Sequence, residues 1–365
     1  MVEHLTLRAC GGHDRRSLAL TVDRLGGEVD AWTSSEMMGI TLNTTVDALG
    51  DALDLLVDAL LTPTFKPEDV ELERRVTQAE LDLLADDPAA RVEEALLQAA
   101  WGKHPLARPV IGSHKTLAGL TSAVLENHHA SLVQPGGLLA AVVGDVTSEE
   151  VVERLARLPL AEDPRVASLP ALRWRGERLD ISREGTDQVH ARLGFEAPAV
   201  GDPRVPALVI LNRILGDGAS SRLFQRLREE EGLTYDVWTA PVLRRLGGIL
   251  EVGWACAPRA FQDAWKLVVE ELGRVTGDID SEEVEVAKEG LLRGLQMDVE
   301  SPGVLCSLDV GEVLDHGRRF DPADARREFE EVSVEEVRQM AAEVLRPGCM
   351  ASAVCGPKGV AVRVA

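Results

Sequence analysis

Apolar residues recur at helical spacing over 14–25, at Leu18, Leu20, Val22 and Leu25, and the Gly26-Gly27 pair predicts that this helix ends there. Two short extended segments follow, Glu28–Thr33 and 37–43, where Gly39, Thr41 and Asn43 disfavour helix. A second amphipathic stretch covers 47–61, with Leu49, Leu53, Leu56, Val57, Leu60 and Leu61 on one face. Pro63 and Pro67 bracket a break before a long helix over 68–85, and Asp86-Asp87-Pro88 separates it from another that runs to about Trp101. The run GGLLAAVVGDV at 136–146 reads as a buried strand, and Thr147-x-x-Glu150 is a capping box that opens the next helix.

Residues 158–178 lose all periodicity and hold three prolines, so a linker is placed at 161–178 between an N-terminal domain at 1–160 and a C-terminal domain at 179–365. The second half then repeats the order of the first loosely. A strand is expected at 188–195, helices at 204–215 and 220–230, and strands at 234–242 and Gly247–Cys256. Further helices are expected at 260–275 and 281–299, with a last strand at 350–355. The pattern predicts an α+β protein of two domains of similar size, an arrangement that suggests duplication.

Composition narrows the function classes. A chain of 365 residues with 45% apolar and 27% charged residues is that of an ordinary globular protein. Its 39 basic against 61 acidic residues give a net charge of −22, the wrong sign for a nucleic-acid or anionic-membrane partner and compatible with a basic substrate. The five cysteines, Cys10, Cys256, Cys306, Cys349 and Cys355, are scattered without a C-x-x-C pair, which disfavours a disulfide framework or a cysteine zinc knuckle. No apolar run approaches the ~18 residues of a membrane span, and no charged segment followed by an apolar one opens the chain, so a cytoplasmic location is expected. Gly102-Lys103 is followed by His104 rather than Ser or Thr, Gly216-Asp-Gly218 lacks its third glycine, and no G-x-S-x-G occurs. Nucleotide-driven and serine-hydrolase chemistries therefore have no motif to stand on.

The chemistry-bearing residues form an ordered series. Glu3-His4 opens it. Gly26-Gly27, Asp30-Ala31-Trp32-Thr33-Ser34, Pro63 with Phe65, and Glu71-x-Glu73-Arg74-x-Val76-x-x-x-Glu80 follow. His104-Pro105, Pro109-x-Ile111-Gly112, Leu120-Thr121 and Val143-Gly144-Asp145 continue it, and Leu215-Gly-x-Gly218, Ser221-Arg222-Leu223-Phe224, Arg228-Glu229 and Gly232-Leu233-x-Tyr235 complete it. Over nearly the whole chain this series resembles the pitrilysin/insulinase-type zinc metallopeptidases, the group with the inverted H-x-x-E-H motif, and most closely their short, processing-peptidase-like members. The resemblance implies two similar domains, each a mostly antiparallel sheet packed with helices.

Histidines at i and i+4 of a helix lie on one face and can share a Zn²⁺, and a carboxylate at i+3 can take a proton from a metal-bound water. By the resemblance, His4 and Glu80 are zinc ligands, Glu3 is the catalytic base, and Glu73, two helical turns before Glu80, supports the site. Arg228 and Tyr235, the sole tyrosine, match the pair that holds the substrate backbone and stabilises the oxyanion, and Asp30, Ala31 and Trp32 match the edge strand to which a peptide substrate adds. The family's first histidine would fall immediately before Met1. Two expectations follow: either the native chain carries that histidine upstream and is an active peptidase binding Zn²⁺, or it lacks its own zinc and serves as a non-catalytic partner subunit. Both imply a homodimer or heterodimer in which Arg228 and Tyr235 act on the partner's centre. The remaining histidines carry no such signal: His104 reads as part of a turn, and His128-His129 as helix surface.

Overall fold

The computed structural model describes residues 1–161 and 168–359, so residues 162–167, in the first part of the expected linker 161–178, lie outside the described residues. In chain order the helices are α1 Val2–Thr6, α2 Arg15–Leu25, α3 Leu49–Leu61, α4 Pro67–Asp86, α5 Pro88–Trp101, α6 His114–Ala118, α7 Ser122–Leu132 and α8 Ser148–Leu155. They continue with α9 Val205–Leu215, α10 Arg222–Phe224, α11 Phe261–Asp278, α12 Ser281–Asp298, α13 Pro302–His316, α14 Pro322–Glu331 and α15 Val334–Val344. The strands are β1 Glu28–Thr33, β2 Met38–Asn43, β3 Arg178–Ser182, β4 Val189–Ala197, β5 Thr234–Arg244, β6 Gly247–Cys256 and β7 Ala351–Gly356. The fold is α+β, and local chemistry sets many of its boundaries. Asp14 caps α2, which stops at Gly26 in the left-handed region (φ 66°), and Thr147/Glu150, Asp280/Glu283 and Ser333/Glu336 form capping boxes on α8, α12 and α15.

Two compact units emerge: Met1–Leu83 with Pro109–Leu169 and Ser301–Gly311, and Leu84–Arg108 with Pro170–Glu300 and Glu312–Ala365. They depart from the contiguous spans 1–160 and 179–365 read from the sequence. The physical reason lies in α5. The sheet of the second unit has order β3-β7-β4-β6-β5, antiparallel except for β3 against β7, and β6 and β7 are buried nearly throughout. A sheet buried on both faces needs two covers. The main core, with α9, α11, α12 and α15, supplies one. The apolar stripe of α5 supplies the other, lying so close to β4 that a Cβ at Gly194 would meet Leu96 at 3.1 Å.

Charge reinforces that second cover. Arg192 on β4 donates to Glu251 on β6 at 2.8 Å and to Glu93 on α5 at 2.9 Å. Glu251 is 3% exposed; burial raises its pKa and Arg192 opposes that shift. Trp238 roofs the guanidinium, 5.0 Å from ring centre to Cζ. The contact spans two strand spacings and is possible because Gly253 pairs with Arg192 on one side and Trp238 on the other, leaving an empty position between them.

In the first unit β1 and β2 form a two-stranded antiparallel sheet in which Trp32 lies opposite Gly39. Among the described residues, small apolar clusters hold its helices. One joins Val2 and Leu5 of α1 to Phe65, Val70 and Leu125, and so fixes the helix carrying Glu3 and His4. The expected strand at 136–146 is absent. A strand exists through its ladder, and no described strand pairs with this run, so Leu138 and Val142 pack against Leu53, Val57, Leu155 and Leu158 without one. His129 also departs from the surface position expected. It is buried on α7 against Phe65, 5.6 Å between ring centres, and burial lowers its pKa. The helix expected at 220–230 forms as α10 followed by a π-helical turn over Gln225–Glu230.

The two units share a feature that the strand assignments alone do not reveal. Asp30-Ala31-Trp32-Thr33 and Asp236-Val237-Trp238-Thr239 carry the same D-x-W-T pattern, and in both hairpins the tryptophan lies across from a glycine, Gly39 or Gly253. A Cβ at Gly39 would stand 2.6 Å from the Trp32 indole, and one at Gly253 would overlap that of Trp238. Gly253→Ala is expected to displace Trp238 from Arg192 and to lower stability by about 1–3 kcal/mol in urea unfolding. Adding Trp238→Val should recover part of that loss.

Candidate active site

The first turn of the chain is where the predicted chemistry gathers. Met1 precedes α1, whose Val2 and Leu5 face the apolar cluster, so Glu3 and His4 are left on its more polar side. Across from them runs α4, on which Asp69, Glu73, Thr77 and Glu80 follow one another at steps of four, four and three residues, a single helical stripe. Glu73 is 6% exposed and sits at the centre of the contact. One of its oxygens lies 2.6 Å from His4 Nδ1 and the other accepts from Arg8 Nη1 at 3.0 Å. Arg8 Nε also donates to Asp69 at 2.8 Å.

This arrangement fixes the imidazole. A carboxylate only accepts, so His4 Nδ1 is the nitrogen that donates to Glu73, and a neutral ring then presents Nε2 as its acceptor. Nε2 lies 3.9 Å from Glu3 Oε1, on the side away from Glu73. Glu3 is held in turn by the Thr33 hydroxyl at the end of β1, which donates to its Oε2 at 2.5 Å. Glu3 Oε1 is therefore the oxygen left to accept a proton. Glu80 is half-buried and makes no hydrogen bond or ion pair among the described residues. Burial lowers the pKa of the Met1 α-amino group, while the charges of Glu3, Glu73 and Glu80 act on it in the opposite direction.

Zinc takes nitrogen and oxygen donors, and His4 Nε2 and the Glu80 carboxylate are of the right chemistry. They are two, where a catalytic zinc takes three from the protein. Among the described residues no three His, Cys, Asp or Glu side chains are grouped to hold a metal ion. The residues present are thus an incomplete zinc set, with the orienting carboxylate in place. Arg8, Asp69 and Thr33 escaped the sequence reading. The i, i+4 spacing of His4 to Arg8 and of Asp69 to Glu73 was the available signal for two of them.

In the second unit, the structure brings Arg228 and Tyr235 together. The guanidinium lies 4.6 Å from the Tyr235 ring centre and 4.7 Å from that of Phe224. Gly232, at φ 61°, and a Leu233 N–H to Leu227 carbonyl bond of 2.9 Å close the π-helical turn and send the chain into β5. A bulge between Thr234 and Asp236 puts Tyr235 outside the regular register, and its side chain is 80% exposed. The Thr234 hydroxyl braces that bulge, accepting from Asp236 N at 3.2 Å and donating to the Ala255 carbonyl at 2.6 Å. Asp30, Ala31 and Trp32 lie on β1, which pairs with β2 on one side and, among the described residues, with no strand on the other.

One unit holds the cluster of Glu3, His4 and Glu73 and the other the Arg228–Tyr235 pair, and comparison with known proteins identifies the family. Residues 1–114 match the insulinase profile (peptidase family M16), and residues 119–291 match the profile described as the peptidase M16 inactive domain. An uncharacterized zinc protease of Mycobacterium leprae is 31% identical, across 98% of this chain and 81% of its own. One of Bacillus subtilis is 28% identical, across 98% of this chain and 88% of its own. The crystal structure of a peptidase M16 inactive domain from Pseudomonas fluorescens superposes with a TM-score of 0.87 at 20% identity, covering 100% of this chain and 89% of that one. A protease from Helicobacter pylori gives 0.85 at 19%, covering 98% and 88%. The chain belongs to the pitrilysin/insulinase family, M16. No helix among the described residues is long and apolar enough to cross a membrane.

Glu73→Ala would leave Arg8 and His4 facing a vacated, largely buried position. It is expected to cost about 2–4 kcal/mol in urea unfolding. Glu73→Gln, which keeps an acceptor for His4 Nδ1–H, should cost less.

Proposed function

We propose that this chain is a zinc-dependent endopeptidase of extended peptides or small unfolded proteins, active as a dimer whose two subunits enclose the substrate. The observation that carries the reading is the His4–Glu73 contact, which orients Nε2 as a metal-binding histidine requires, beside a Glu3 carboxylate held by Thr33. Relatives named zinc proteases support it at the level of the class.

In this reading Glu3 Oε1 is the base that takes the proton of the attacking water. Arg228 and Tyr235 of one subunit donate to the backbone and developing oxyanion of the peptide held by the other. The peptide pairs with the open edge of β1, beside Asp30, Ala31 and Trp32, through main-chain hydrogen bonds that take little account of its sequence. A net charge of −22 favours basic peptides. His4 and Glu80 require a further donor to complete a metal set.

The match of residues 119–291 to the profile described as the peptidase M16 inactive domain is consistent with a second reading, a non-catalytic subunit that lends Arg228 and Tyr235 to a related, zinc-bearing partner. Metal analysis and peptide cleavage separate the two. Stoichiometric zinc, with a fall in kcat of about a hundredfold or more in Glu3→Gln, is expected of the peptidase. A metal-free, inactive chain that raises cleavage by a partner, and loses that effect in Arg228→Leu, would establish the second. Mixing inactive Glu3→Gln and Arg228→Leu chains should restore cleavage if the pair acts across the dimer. Basic peptides should be cut faster than matched acidic ones, by a margin that shrinks as salt rises.

A further inference from the structure

We propose that Phe224 is the positioning residue of the Arg228–Tyr235 pair, and that the three side chains act as one stack. The inference rests on the reading above for its consequence in peptide cleavage, and on geometry alone for the stack itself. The Arg228 guanidinium carbon lies over both rings, 4.7 Å from the Phe224 centre and 4.6 Å from the Tyr235 centre, within the range where the face of an aromatic ring attracts a cation. Among the described residues its one ion pair, to its neighbour Glu229 at 3.6 Å, is long, and the Glu229 carboxylate is half exposed. The two rings are therefore what sets the plane of the Arg228 fork.

The rings differ in how they are held. Tyr235 stands 80% exposed on a bulge, with little around it to fix its side chain. Phe224 is half-buried and packs against the main core of the unit. Its helical turn is anchored two residues earlier by Arg222, which donates twice to Glu283 at 2.6 Å, pairs with Asp278, and lies 3.5 Å from Glu271. Rigidity thus passes from a four-residue ion cluster to Phe224, from Phe224 to Arg228, and from Arg228 to the exposed phenol. A long arginine side chain that must present a fixed fork loses rotamer freedom, and a preset ring reduces what is lost on meeting substrate.

Tyr235 is the sole tyrosine, so the full-length chain grown with 3-fluorotyrosine reports this stack as a single ¹⁹F resonance without any need for activity. Arg228→Leu, which removes the cation from the ring face, defines the displaced position of that resonance. Phe224→Leu is expected to move it most of the way there, Phe224→Trp to leave it near the native position, and Phe224→Leu combined with Arg228→Leu to move it no further than Arg228→Leu alone. Circular dichroism and melting temperature confirm that each variant folds. A native resonance in folded Phe224→Leu, or equal displacement by Leu and Trp, would overturn the proposal. In cleavage assays Phe224→Leu should lower kcat/KM about tenfold, with Phe224→Trp restoring it. Displacement of the resonance with unchanged cleavage would retain the stack and defeat the catalytic role given to Arg228 and Tyr235.

Discussion

A carboxylate withdrawn from water must be met by cations and N–H groups, and Glu73 is so withdrawn. Its two oxygens are taken by His4 and Arg8, both on the opening turns of the chain, while Asp69 one turn earlier on α4 holds the second arm of Arg8. The requirement to satisfy one buried charge thus seats α1 on α4. The apolar contacts of Val2 and Leu5 act in the same sense, but they are non-directional and would accept a rotated helix. The ion cluster would not. With the helix seated, His4 can turn only Nε2 outward, and Glu3 falls within reach of Thr33 at the end of β1.

The second unit shows the complementary strategy, in which an empty position does what a side chain does in the first. Because Gly253 occupies the middle strand, the Trp238 indole crosses it to Arg192, and Arg192 is free to join Glu251 in the sheet to Glu93 on α5. Helix α5 is close in sequence to the stripe bearing Glu73 and Glu80, yet its apolar face is spent on the sheet of β4 and β7. The chain passes from one unit to the other between Leu83 and Leu84, in the last turn of α4, just before the helix break at Asp86-Asp87-Pro88.

Those two strategies explain what could be read in the sequence. Capped and glycine-stopped helices such as α2 and α8 were legible because their boundaries are local chemistry, and the segments of β4 to β6 were legible because short apolar runs bounded by turn residues mark strands of a buried sheet. The ordered motifs singled out Glu3, His4, Glu73, Arg228 and Tyr235, of which the structure brings His4 to Glu73 and Arg228 to Tyr235. The run at 136–146 was misread because composition reports burial and says nothing of a ladder partner. The location of α5 was missed because an apolar helical stripe does not name the sheet it covers. His129 was missed because a lone histidine pair carries no sign of the Phe65 beneath it. Arg8 and Asp69 left a four-residue spacing that a search for ligands passes over, since neither is a ligand. The D-x-W-T repeat was visible in the letters alone, but its meaning depends on the glycine across the strand, which only the register supplies.

The bulge between Thr234 and Asp236 lets one strand obey two phases. In a regular strand every second side chain shares a face, so moving one residue moves all the others. Here the residues beyond the bulge keep the parity the scaffold needs, with Val237 in the core and Trp238 over Arg192, while Tyr235 is released from that alternation. Losing a single residue at this point would pull Tyr235 into the pleat or throw Trp238 onto the wrong face. The bulge is the device that allows the chemistry at the start of β5 to change without disturbing the architecture that follows it.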